Sequence, residues 1–562
     1  MRSRVHCAAM ATAHAQPAGL ESEKRGTPGI QKDRISRRFD ALFVVSISVV
    51  LSVAAFIFFY RHGVTNVYGD GVAHLNIARK VIDSPDSSLW RRYIQIGTPW
   101  LPLQTLLTVP LVRNEHLWRT GIAGSVISML SFIVATLAVF KIATRLYREE
   151  AGVSGRAMAL ISASVFALNP AALYMQSTPM TESLFMASLA ITVLFLHQWS
   201  DKPSIVKLMM AGAAAGAATL SRYEAWPVAL AAAAIVAFVS AGSAWNRLRN
   251  TGVFLSVAAI GPCYWLWHNW AIYDDALAFI RGPHSARGIY LENAANLGWS
   301  RVFVGHWLPS LALMLLTAAT CVGLLILLLA LVGAIRTVAV KRRRIREFAF
   351  LFLLIIPFLF HVFSIYRGEI QVFPISAFGL LNVRYGLPHL LAAAVFAPAT
   401  IPLMKTFGRA AGIALCAALI VLQYSLIWSD GPLQIAVCQE GYRNGVNSRP
   451  AREHRAAAEY LRSHPPAAHV LLYSGSLGPV VSGGGLVFSK IIHEGAERWY
   501  QIDATAPNDV STIVLETGDP LDNRINSNPS LFGDISRRFR TAFSVGNLVV
   551  LEQTSKDSQT GR

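Results

Sequence analysis

The sequence predicts a polytopic α-helical membrane protein, with about 11 transmembrane helices and a small C-terminal α/β extracytoplasmic domain. Composition is the first indication, because hydrophobic residues make up 53% of the chain and charged residues only 15%. The second is that apolar runs recur at the ~20-residue length with which a helix crosses a bilayer. The third is that these runs stop near residue 428, after which helix and strand patterns typical of a folded domain follow.

Eleven apolar runs are long enough to be predicted as membrane spans. They lie near residues 41–60, 119–141, 157–174, 181–199, 205–221, 225–241, 251–270, 308–335, 348–366, 386–403 and 410–428. Residues 1–38 contain proline and glycine without apolar periodicity, which predicts a disordered segment. Residues 39–428 are therefore predicted as the transmembrane domain.

Lys and Arg are concentrated in the loops that alternate spans place on one side of the membrane. These loops are the N-terminal segment and residues 145–156, 202–207, 247–249, 341–346 and 405–409. Because basic loops stay in the cytoplasm, the N-terminus is predicted to be cytoplasmic. An odd number of spans then places residues 429–562 outside. Trp265, Trp267, His268 and Trp270 are expected to form an aromatic belt at the outer end of a span.

The net charge of +18 does not indicate a nucleic-acid partner, because of where the charge lies. Residues 429–562 contain 13 Lys or Arg against 14 Asp or Glu, so the excess belongs to the membrane half. There, topology and anionic membrane lipids account for it. The chain contains no Walker sequence and no dinucleotide fingerprint, which excludes the usual ATP-driven and dinucleotide-dependent classes.

The tail after the last span carries helix and strand patterns. Residues 452–461 favour a helix, and strands are expected at residues 469–473, 512–516 and 547–552. The segment 429–562 is therefore predicted to be an α/β domain outside the cytoplasm.

The outer loop between the first two spans, residues 61–118, is the richest in candidate functional residues. Apolar residues recur at helical spacing from Val72 to Ile82, and polar residues such as Asn76 and Lys80 face away from them. This pattern predicts a helix lying in the membrane interface. Residues 98–104, which contain two prolines and a tryptophan, predict a second surface helix.

Asp70 lies at or just before the start of the first of these helices, at the outer mouth of the first span. An acidic group at a membrane surface is costly to place and is therefore a candidate for chemistry. The alternative is that its carboxylate caps free backbone amides, a role worth ~1 kcal/mol. His74 follows four residues later and shares the same helix face.

Short motifs follow in a defined order along the membrane half. After the acidic first loop come Asn169-Pro170 and Thr181-Glu182, then Leu220-Ser221-Arg222-Tyr223-Glu224, then Val383-Arg384-Tyr385-Gly386-Leu387-Pro388. This order resembles the GT-C superfamily of integral membrane glycosyltransferases, and within it the family 39-like enzymes, which include protein O-mannosyltransferases and bacterial aminoarabinose transferases. One departure is that the family often has two adjacent acidic residues in this loop, whereas Gly71 follows Asp70.

The resemblance implies a function and a site. Such enzymes transfer a sugar, here a mannose-like hexose or modified pentose, from a polyprenyl-phosphate donor to an acceptor hydroxyl on the outer face of the membrane. The acceptor would be a lipid, a glycan or a protein, and the membrane a bacterial inner or plasma membrane. Asp70 and Glu182 match the family's two acidic positions and are expected to be catalytic. For Glu182 the alternative is a favourable interaction with a helix N-terminus, worth ~0.3 to 1 kcal/mol.

A lipid-phosphate leaving group needs fixed positive charge, which arginine supplies best through its forked guanidinium. Arg384 is the first candidate for donor-phosphate binding and Arg222 the second, although Arg222 beside Glu224 also suits a structural ion pair. The outer segment 281–287 adds Arg287 as a third candidate. Further substrate contacts are expected from His74, Glu224, Tyr385 and His284.

Two questions stay open from the sequence. The rival class is a transporter or flippase that moves a lipid-linked sugar without forming bonds, although the two halves show no internal repeat of the kind common in transporters. No cofactor is firmly indicated. A divalent metal is an option, since Asp70, Glu182 and His74 carry oxygen and nitrogen groups that could bind one.

Overall fold

The structure is a computed structural model that describes residues 28–84, 88–148, 155–282, 285–293, 298–341, 344–376, 379–428 and 431–554. The chain divides into two compact units, Met1–Phe43 and Val44–Arg562. The described part of the first unit forms the beginning of the first helix. The second unit contains the other helices and the sheet.

The fold is mainly helical, with α-helices numbered in chain order. The first eleven are α1 (Pro28–Arg61), α2 (Gly69–Asp83), α3 (Leu89–Tyr93), α4 (Leu103–Thr108), α5 (Glu115–Arg119), α6 (Ile122–Leu146), α7 (Gly155–Ala167), α8 (Pro170–Met175), α9 (Glu182–Asp201), α10 (Ile205–Thr219) and α11 (Ala225–Val239). The next ten are α12 (Ala244–Ala258), α13 (Ile260–Tyr273), α14 (Ala278–Arg281), α15 (Ala286–Asn293), α16 (Trp307–Val322), α17 (Leu324–Lys341), α18 (Ile345–Phe348), α19 (Ile356–Arg367), α20 (Leu390–Phe396) and α21 (Arg409–Trp428). Among the 3-10 segments, Val383–His389 leads into α20 and Ala397–Phe407 follows it.

Residues 431–554, the described part of the tail, contain six further helices and five strands. The helices are α22 (Ala436–Tyr442), α23 (Arg449–Ser463), α24 (Ser474–Gly483), α25 (Glu497–Tyr500), α26 (Pro520–Asn526) and α27 (Pro529–Arg538), with a π-helical turn, Arg443–Asn447, between the first two. The strands are β1 (His469–Leu472), β2 (Ile491–Ile492), β3 (Val510–Glu516), β4 (Phe539–Val545) and β5 (Leu548–Gln553).

Seven helices in the described part of the chain are long and apolar enough to cross a membrane. These segments are Arg38–Arg61, Ile122–Leu146, Glu182–Asp201, Leu324–Lys341, Arg346–Arg367, Val383–Leu403 and Ala410–Trp428. Four shorter apolar helices, α7, α10, α11 and α16, accompany them. The predicted class, a polytopic helical membrane protein, is thereby confirmed.

Three of the predicted spans have a different form in the structure, and one of them, the run 157–174, is divided between α7 and α8. The run 308–335 is divided at Gly323, where a φ of +97° ends α16 and α17 begins at the next residue. The run 251–270 is divided between α12 and α13. Because α12 begins with polar and basic residues, including Arg247 and Arg249, its apolar part is too short to count with the apolar helices of the described chain.

The tail folds into a five-stranded sheet with strand order β2-β1-β3-β5-β4. β1 pairs in parallel with β2 and β3, whereas β5 runs antiparallel to both β3 and β4. The predicted helix and three strands are observed as α23, β1, β3 and β5. β2 and β4 were not predicted, because β2 has only two residues and β4 lacks a clear alternation of buried and exposed positions.

The outer loop and the tail domain share one hydrophobic core. Leu75 and Ala78 of α2 and Trp118 of α5 pack with strand residues such as Val470 and Val514. The opposite face of the sheet is covered by α25, α26 and α27. Burial of aliphatic and aromatic side chains against each other is worth about 1.5 to 3 kcal/mol per residue, so this shared core holds the outer loop firmly to the tail.

The environment of α2 differs from the predicted interfacial helix in one respect. The apolar side of α2 contacts the tail domain, and its polar residue Asn76 is buried as well. Asn76 Nδ2 donates to the Gly478 carbonyl at 3.1 Å, and Trp118 Nε1 donates to Asn76 Oδ1 at 3.0 Å. A helix covered on both sides by protein holds its first turn in a fixed position, and that turn carries Asp70.

Candidate functional site

Four chain segments converge at one point beside the outer loop. They are the first turn of α2 with Asp70, the first turn of α9 with Glu182, the turn between α10 and α11 with Arg222 and Glu224, and the 3-10 segment Val383–His389 with Arg384. Their side chains form one ion-pair network, which is called the site cluster below and consists of Asp70, Glu182, Arg222, Glu224 and Arg384.

Asp70 pairs with Arg384 across the site cluster. Arg384 Nη2 donates to Asp70 Oδ2 at 2.5 Å, although the two residues are 314 positions apart in the chain. The N-cap of α2 is Tyr68, which makes no side-chain capping hydrogen bond. Asp70 therefore lies in the first helical turn and is directed at a guanidinium. Its side chain is 38% exposed, whereas that of Arg384 is 10% exposed.

Glu182 lies between the two arginines and is fully buried. Its Oε1 atom is 2.8 Å from Arg222 Nη1 and 3.2 Å from Arg384 Nε. Its other oxygen, Oε2, has no hydrogen-bond partner among the described residues. Buried carboxylate oxygens are nearly always paired, so an unpaired one facing a cluster of charges marks a place where a donor from a substrate could be accepted.

Arg222 and Glu224 form an ion pair through Arg222 Nε and Glu224 Oε1. The structural pairing considered from the sequence is thus present, but it is part of the larger network. His361 Nε2 lies 3.5 Å from the same Glu224 oxygen. Burial would raise the pKa of Glu224, yet Arg222 and His361 outweigh it and lower this pKa to about 2. Burial likewise opposes the charge of Arg222, and the carboxylates of Glu224 and Glu182 overcome it, so the pKa of Arg222 is raised.

Tyr385, one of the predicted substrate contacts, lies against both guanidinium groups of the site cluster. The Arg222 guanidinium is 4.8 Å from the centre of the Tyr385 ring and that of Arg384 is 5.6 Å away. Arg384 also lies 5.4 Å from the ring of Tyr68. Cation–π contacts of this kind are worth more when they are shielded from water, and here they fix the orientation of both forks.

Glu440 is a site residue that the sequence did not reveal. It lies on α22, beyond the last membrane helix, and is 2% exposed. Its carboxylate accepts the backbone N–H groups of Asn382 and Val383 at 2.7 and 2.9 Å and lies 3.8 Å from Arg384 Nη1. Burial raises the pKa of Glu440 although Arg384 and these amides act against it. No motif surrounds Glu440, so only the folded chain brings it to the site.

The glycine that follows Asp70 in the outer loop has a steric explanation. A Cβ atom at Gly71 would lie 2.8 Å from Pro179 Cγ, which is too close for any side chain. A Cβ atom at Gly124 of α6 would also collide with Pro179. Pro179, in the turn before α9, therefore packs closely against both α2 and α6. Because of this packing, there is no room for a second carboxylate side chain at position 71.

The other predicted contact residues have mixed outcomes. His74 is buried and its Nδ1 atom is 2.9 Å from Thr105 Oγ1. Burial lowers the pKa of His74 to about 4, with the Asp70 charge acting against it. Arg287 lies on α15 with an exposed side chain, and it makes none of the ion pairs recorded for the site cluster in the described residues. His284 lies outside the described residues.

The predicted aromatic belt on α13 is only half right. Trp267 and Trp270 are exposed, but Trp265 and His268 are fully buried. Trp265 Nε1 donates to Tyr223 Oη at 3.1 Å, and His268 Nε2 lies 3.0 Å from the Gly97 carbonyl. These two side chains therefore tie the Arg222–Glu224 turn to the outer loop. Their one-sided burial follows the helical period, which places residues 265 and 268 on the same face.

No metal-binding arrangement is formed by the residues that the structure describes. Among them, no three His, Cys, Asp or Glu side chains are grouped so that they could hold a metal ion. Asp70 and Glu182 direct their carboxylates at arginines, and His74 turns toward Thr105. The charged groups of the site cluster are carboxylates and guanidinium groups that pair with each other.

A comparison with protein families confirms the resemblance seen in the motifs for part of the chain. A family model described as dolichyl-phosphate-mannose-protein mannosyltransferase matches residues 119–267. This range contains Glu182, Arg222 and Glu224, whereas Asp70 and Arg384 lie outside it. No curated protein matches the sequence.

Two solved structures resemble the chain over most of its length. ArnT from Cupriavidus metallidurans, bound to undecaprenyl phosphate, has 12% sequence identity and a TM-score of 0.49, covering 91% of this chain and 98% of its own. The archaeal oligosaccharyltransferase AglB from Archaeoglobus fulgidus, in complex with an inhibitory peptide and a dolichol-phosphate, has 13% identity and a TM-score of 0.48, covering 93% and 75%.

Proposed function

We propose that the protein is a membrane glycosyltransferase that transfers a sugar from a polyprenyl-phosphate donor to an acceptor hydroxyl. The observation that carries this proposal is the site cluster, in which a partly exposed carboxylate, Asp70, lies 2.5 Å from a buried arginine, Arg384. A transfer of this kind needs one group that takes a proton and another that holds a phosphate, and the two are adjacent here. The family match over residues 119–267 supports the same reaction class.

In the proposed reaction, Asp70 accepts the proton of the acceptor hydroxyl. The acceptor oxygen forms a bond to the anomeric carbon of the sugar. The bond between that carbon and the phosphate oxygen breaks, and its electron pair leaves with the polyprenyl phosphate. Arg384 and Arg222 hold the leaving phosphate, because forked guanidinium groups bind phosphate oxygens in pairs.

The charges of the site cluster require an exchange of partners when the donor binds. Arg384 faces Asp70, Glu182 and Glu440, so an incoming phosphate has to replace one of these carboxylates. Asp70 is the one that can leave, because its side chain is 38% exposed while Glu182 and Glu440 are buried. On this proposal the phosphate takes the place of Asp70 on Arg384, and the freed carboxylate becomes available as the base.

We place the site on the outer face of a bacterial inner or plasma membrane, as the loop charges predict. The basic loops support a cytoplasmic N-terminus and an external tail. A reporter that is active only outside the cytoplasm would then be active when fused after residue 430 and silent when fused after Arg344. Equal activity at both positions would reverse the proposed sidedness.

The experiment that tests the function measures bond breaking in the donor. The purified protein, in detergent or in nanodiscs, is mixed with synthetic polyprenyl-phosphate mannose or aminoarabinose and candidate acceptors, and released polyprenyl phosphate is quantified. A transferase releases the lipid phosphate and labels the acceptor. A transporter or flippase would move the donor across a vesicle membrane and leave the sugar–phosphate bond intact, which would overturn the proposal.

A further inference from the structure

Glu440 contacts both the backbone of the segment that carries Arg384 and the side chain of Arg384 itself. The carboxylate accepts the N–H groups of Asn382 and Val383, which directly precede Arg384. Asn382 has a left-handed φ of +52°, a conformation that asparagine adopts more readily than most residues other than glycine. Two charge-assisted hydrogen bonds to this turn stabilise the start of the 3-10 segment.

The same carboxylate reaches the other side of the site. Tyr68 Oη donates to the Val437 carbonyl at 2.6 Å and lies 3.4 Å from Glu440 Oε2. Tyr68 is the N-cap of α2, two residues before Asp70. Glu440 is thus linked both to Tyr68, two residues before the predicted base, and to the two residues before the predicted phosphate-binding arginine.

The segment that carries Glu440 is packed without space against the outer loop. A Cβ atom at Gly441 would lie 2.9 Å from Tyr68 Cε2, and one at Gly445 would collide with the backbone of Val67. Both glycines lie in or beside the π-helical turn Arg443–Asn447, and such turns are rare and frequently found at functional sites. This close fit fixes Glu440 relative to Val67 and Tyr68.

We propose that Glu440 is a positioning residue for the transfer reaction, holding Arg384 and the first turn of α2 at the separation that allows phosphate to replace Asp70. This inference rests on the proposed function. Glu440 keeps the arginine in place from the buried side when the Asp70 pair opens. Because Glu440 lies between the last membrane helix and the tail domain, α22 is part of the site rather than a linker.

The test is a double-mutant cycle between Glu440 and Arg384, measured as kcat/KM for the polyprenyl-phosphate donor. Glu440→Gln keeps the shape but replaces one acceptor oxygen with an N–H donor. We expect it to lower kcat/KM by about 10- to 100-fold, because small displacements of a binding group are costly. In an Arg384→Lys background, the same change is expected to lower kcat/KM less than threefold, since the group that it positions is already gone.

A matched control comes from the tail domain. Glu453 also accepts a backbone N–H, that of Asn547, at 3.2 Å, but it lies on α23 and makes none of the recorded ion pairs of the site cluster. Glu453→Gln is expected to transfer sugar at the wild-type rate. If Glu440→Gln does not fold, Tyr68→Phe replaces it, because it removes only the hydroxyl that reaches α22. We expect this variant to lower kcat/KM about threefold to tenfold, and again only when Arg384 is present.

The outcomes separate the inference from the function on which it rests. Wild-type kcat/KM in Glu440→Gln, or equal losses in the wild-type and Arg384→Lys backgrounds, would overturn the positioning role while leaving the transferase intact. A wild-type protein that releases no polyprenyl phosphate would overturn both.

Discussion

The two ends of α2 carry charged clusters of opposite character. At its first turn, Asp70 joins the site cluster. At its last turn, Lys80 pairs with Glu494 of the tail domain at 3.0 Å. We call Lys80, Ser474 and Glu494 the junction cluster. Both clusters join segments that are far apart in the chain, and both are largely shielded from water.

The junction cluster is closed, whereas the site cluster is open. In the junction cluster, Ser474 Oγ donates to Glu494 Oε1 at 2.6 Å and the Ser474 backbone N–H donates to Oε2 at 2.8 Å, so both oxygens are satisfied. In the site cluster, Glu182 Oε2 lacks a partner among the described residues and Asp70 is partly exposed. A fully satisfied network suits a structural joint, and an incompletely satisfied one suits a place where a ligand binds.

The largest effect is expected from removing the proposed base. Asp70→Asn keeps the size of the side chain and removes its ability to take a proton. General-base assistance contributes about 100- to 10,000-fold in rate, so sugar transfer should fall by that order. The melting temperature should stay near that of the wild type, because Asp70 is partly exposed and Arg384 keeps Glu182 and Glu440 as partners. If Asp70→Asn transfers sugar at the wild-type rate, Asp70 is not the base and the site cluster has a structural role.

A substitution in the junction cluster should lower the stability of the protein. Glu494→Gln leaves Lys80 without its charge partner, and breaking a buried ion pair costs about 3 to 5 kcal/mol. Since the Glu494 side chain is 28% exposed, we expect a loss at the low end of that range, about 3 kcal/mol, in the free energy of unfolding. The folded fraction should still transfer sugar. A large loss of activity at unchanged stability would contradict the contrast between the two clusters.

The role of Arg384 can be sharpened by keeping its charge. A hydrogen bond to a charged group is worth about 1.5 to 3 kcal/mol, so Arg384→Ala should raise the donor KM by about 10- to 100-fold. Arg384→Lys retains the charge but loses the fork, and its effect should be smaller. If the donor KM of folded Arg384→Ala is unchanged, Arg384 does not bind the donor phosphate, and Arg222 becomes the candidate for that role.

Lowering the pH should reduce the free energy of unfolding through His493, which precedes Glu494 of the junction cluster. Burial, with Lys80 nearby, lowers the pKa of His493 to about 3, whereas an unfolded histidine titrates near 6.5. The unfolded chain therefore binds a proton first, and stability should fall as the pH drops from about 6.5 toward 3, by about 1.4 kcal/mol per unit for this group. His493→Phe should flatten that slope in denaturant titrations. If the slope does not change in His493→Phe, His493 is not the cause of the loss of stability at low pH.

The sequence predicts the parts of this protein that are local and misses those that depend on contact. Apolar runs and helical spacing predict the membrane class and α2, because both are set by neighbouring residues. Asp70 and Glu182 are selected as candidates because they belong to short motifs. Glu440 is not, because its contacts with Asn382 and Val383 form only when the chain after the last membrane helix folds back.

Most of the pairing at the site cluster is a second feature that the sequence could not supply. The Arg222–Glu224 pair was considered from the sequence, but nothing local indicates that Asp70, Glu182 and Glu440 also lie beside the two arginines. The burial of Trp265 and His268 was missed for a similar reason, since a tryptophan-rich helix end suits a membrane interface and a packed contact equally well.

The most direct test of the partner exchange on Arg384 is the affinity of Asp70→Asn for the donor. Donor binding is measured with the purified variant and wild type in nanodiscs, using the same polyprenyl-phosphate sugar. If phosphate replaces Asp70 on Arg384, the neutral Asn no longer competes, and the variant should bind the donor at least as tightly as the wild type while failing to transfer its sugar. Clearly weaker donor binding by Asp70→Asn would contradict this account.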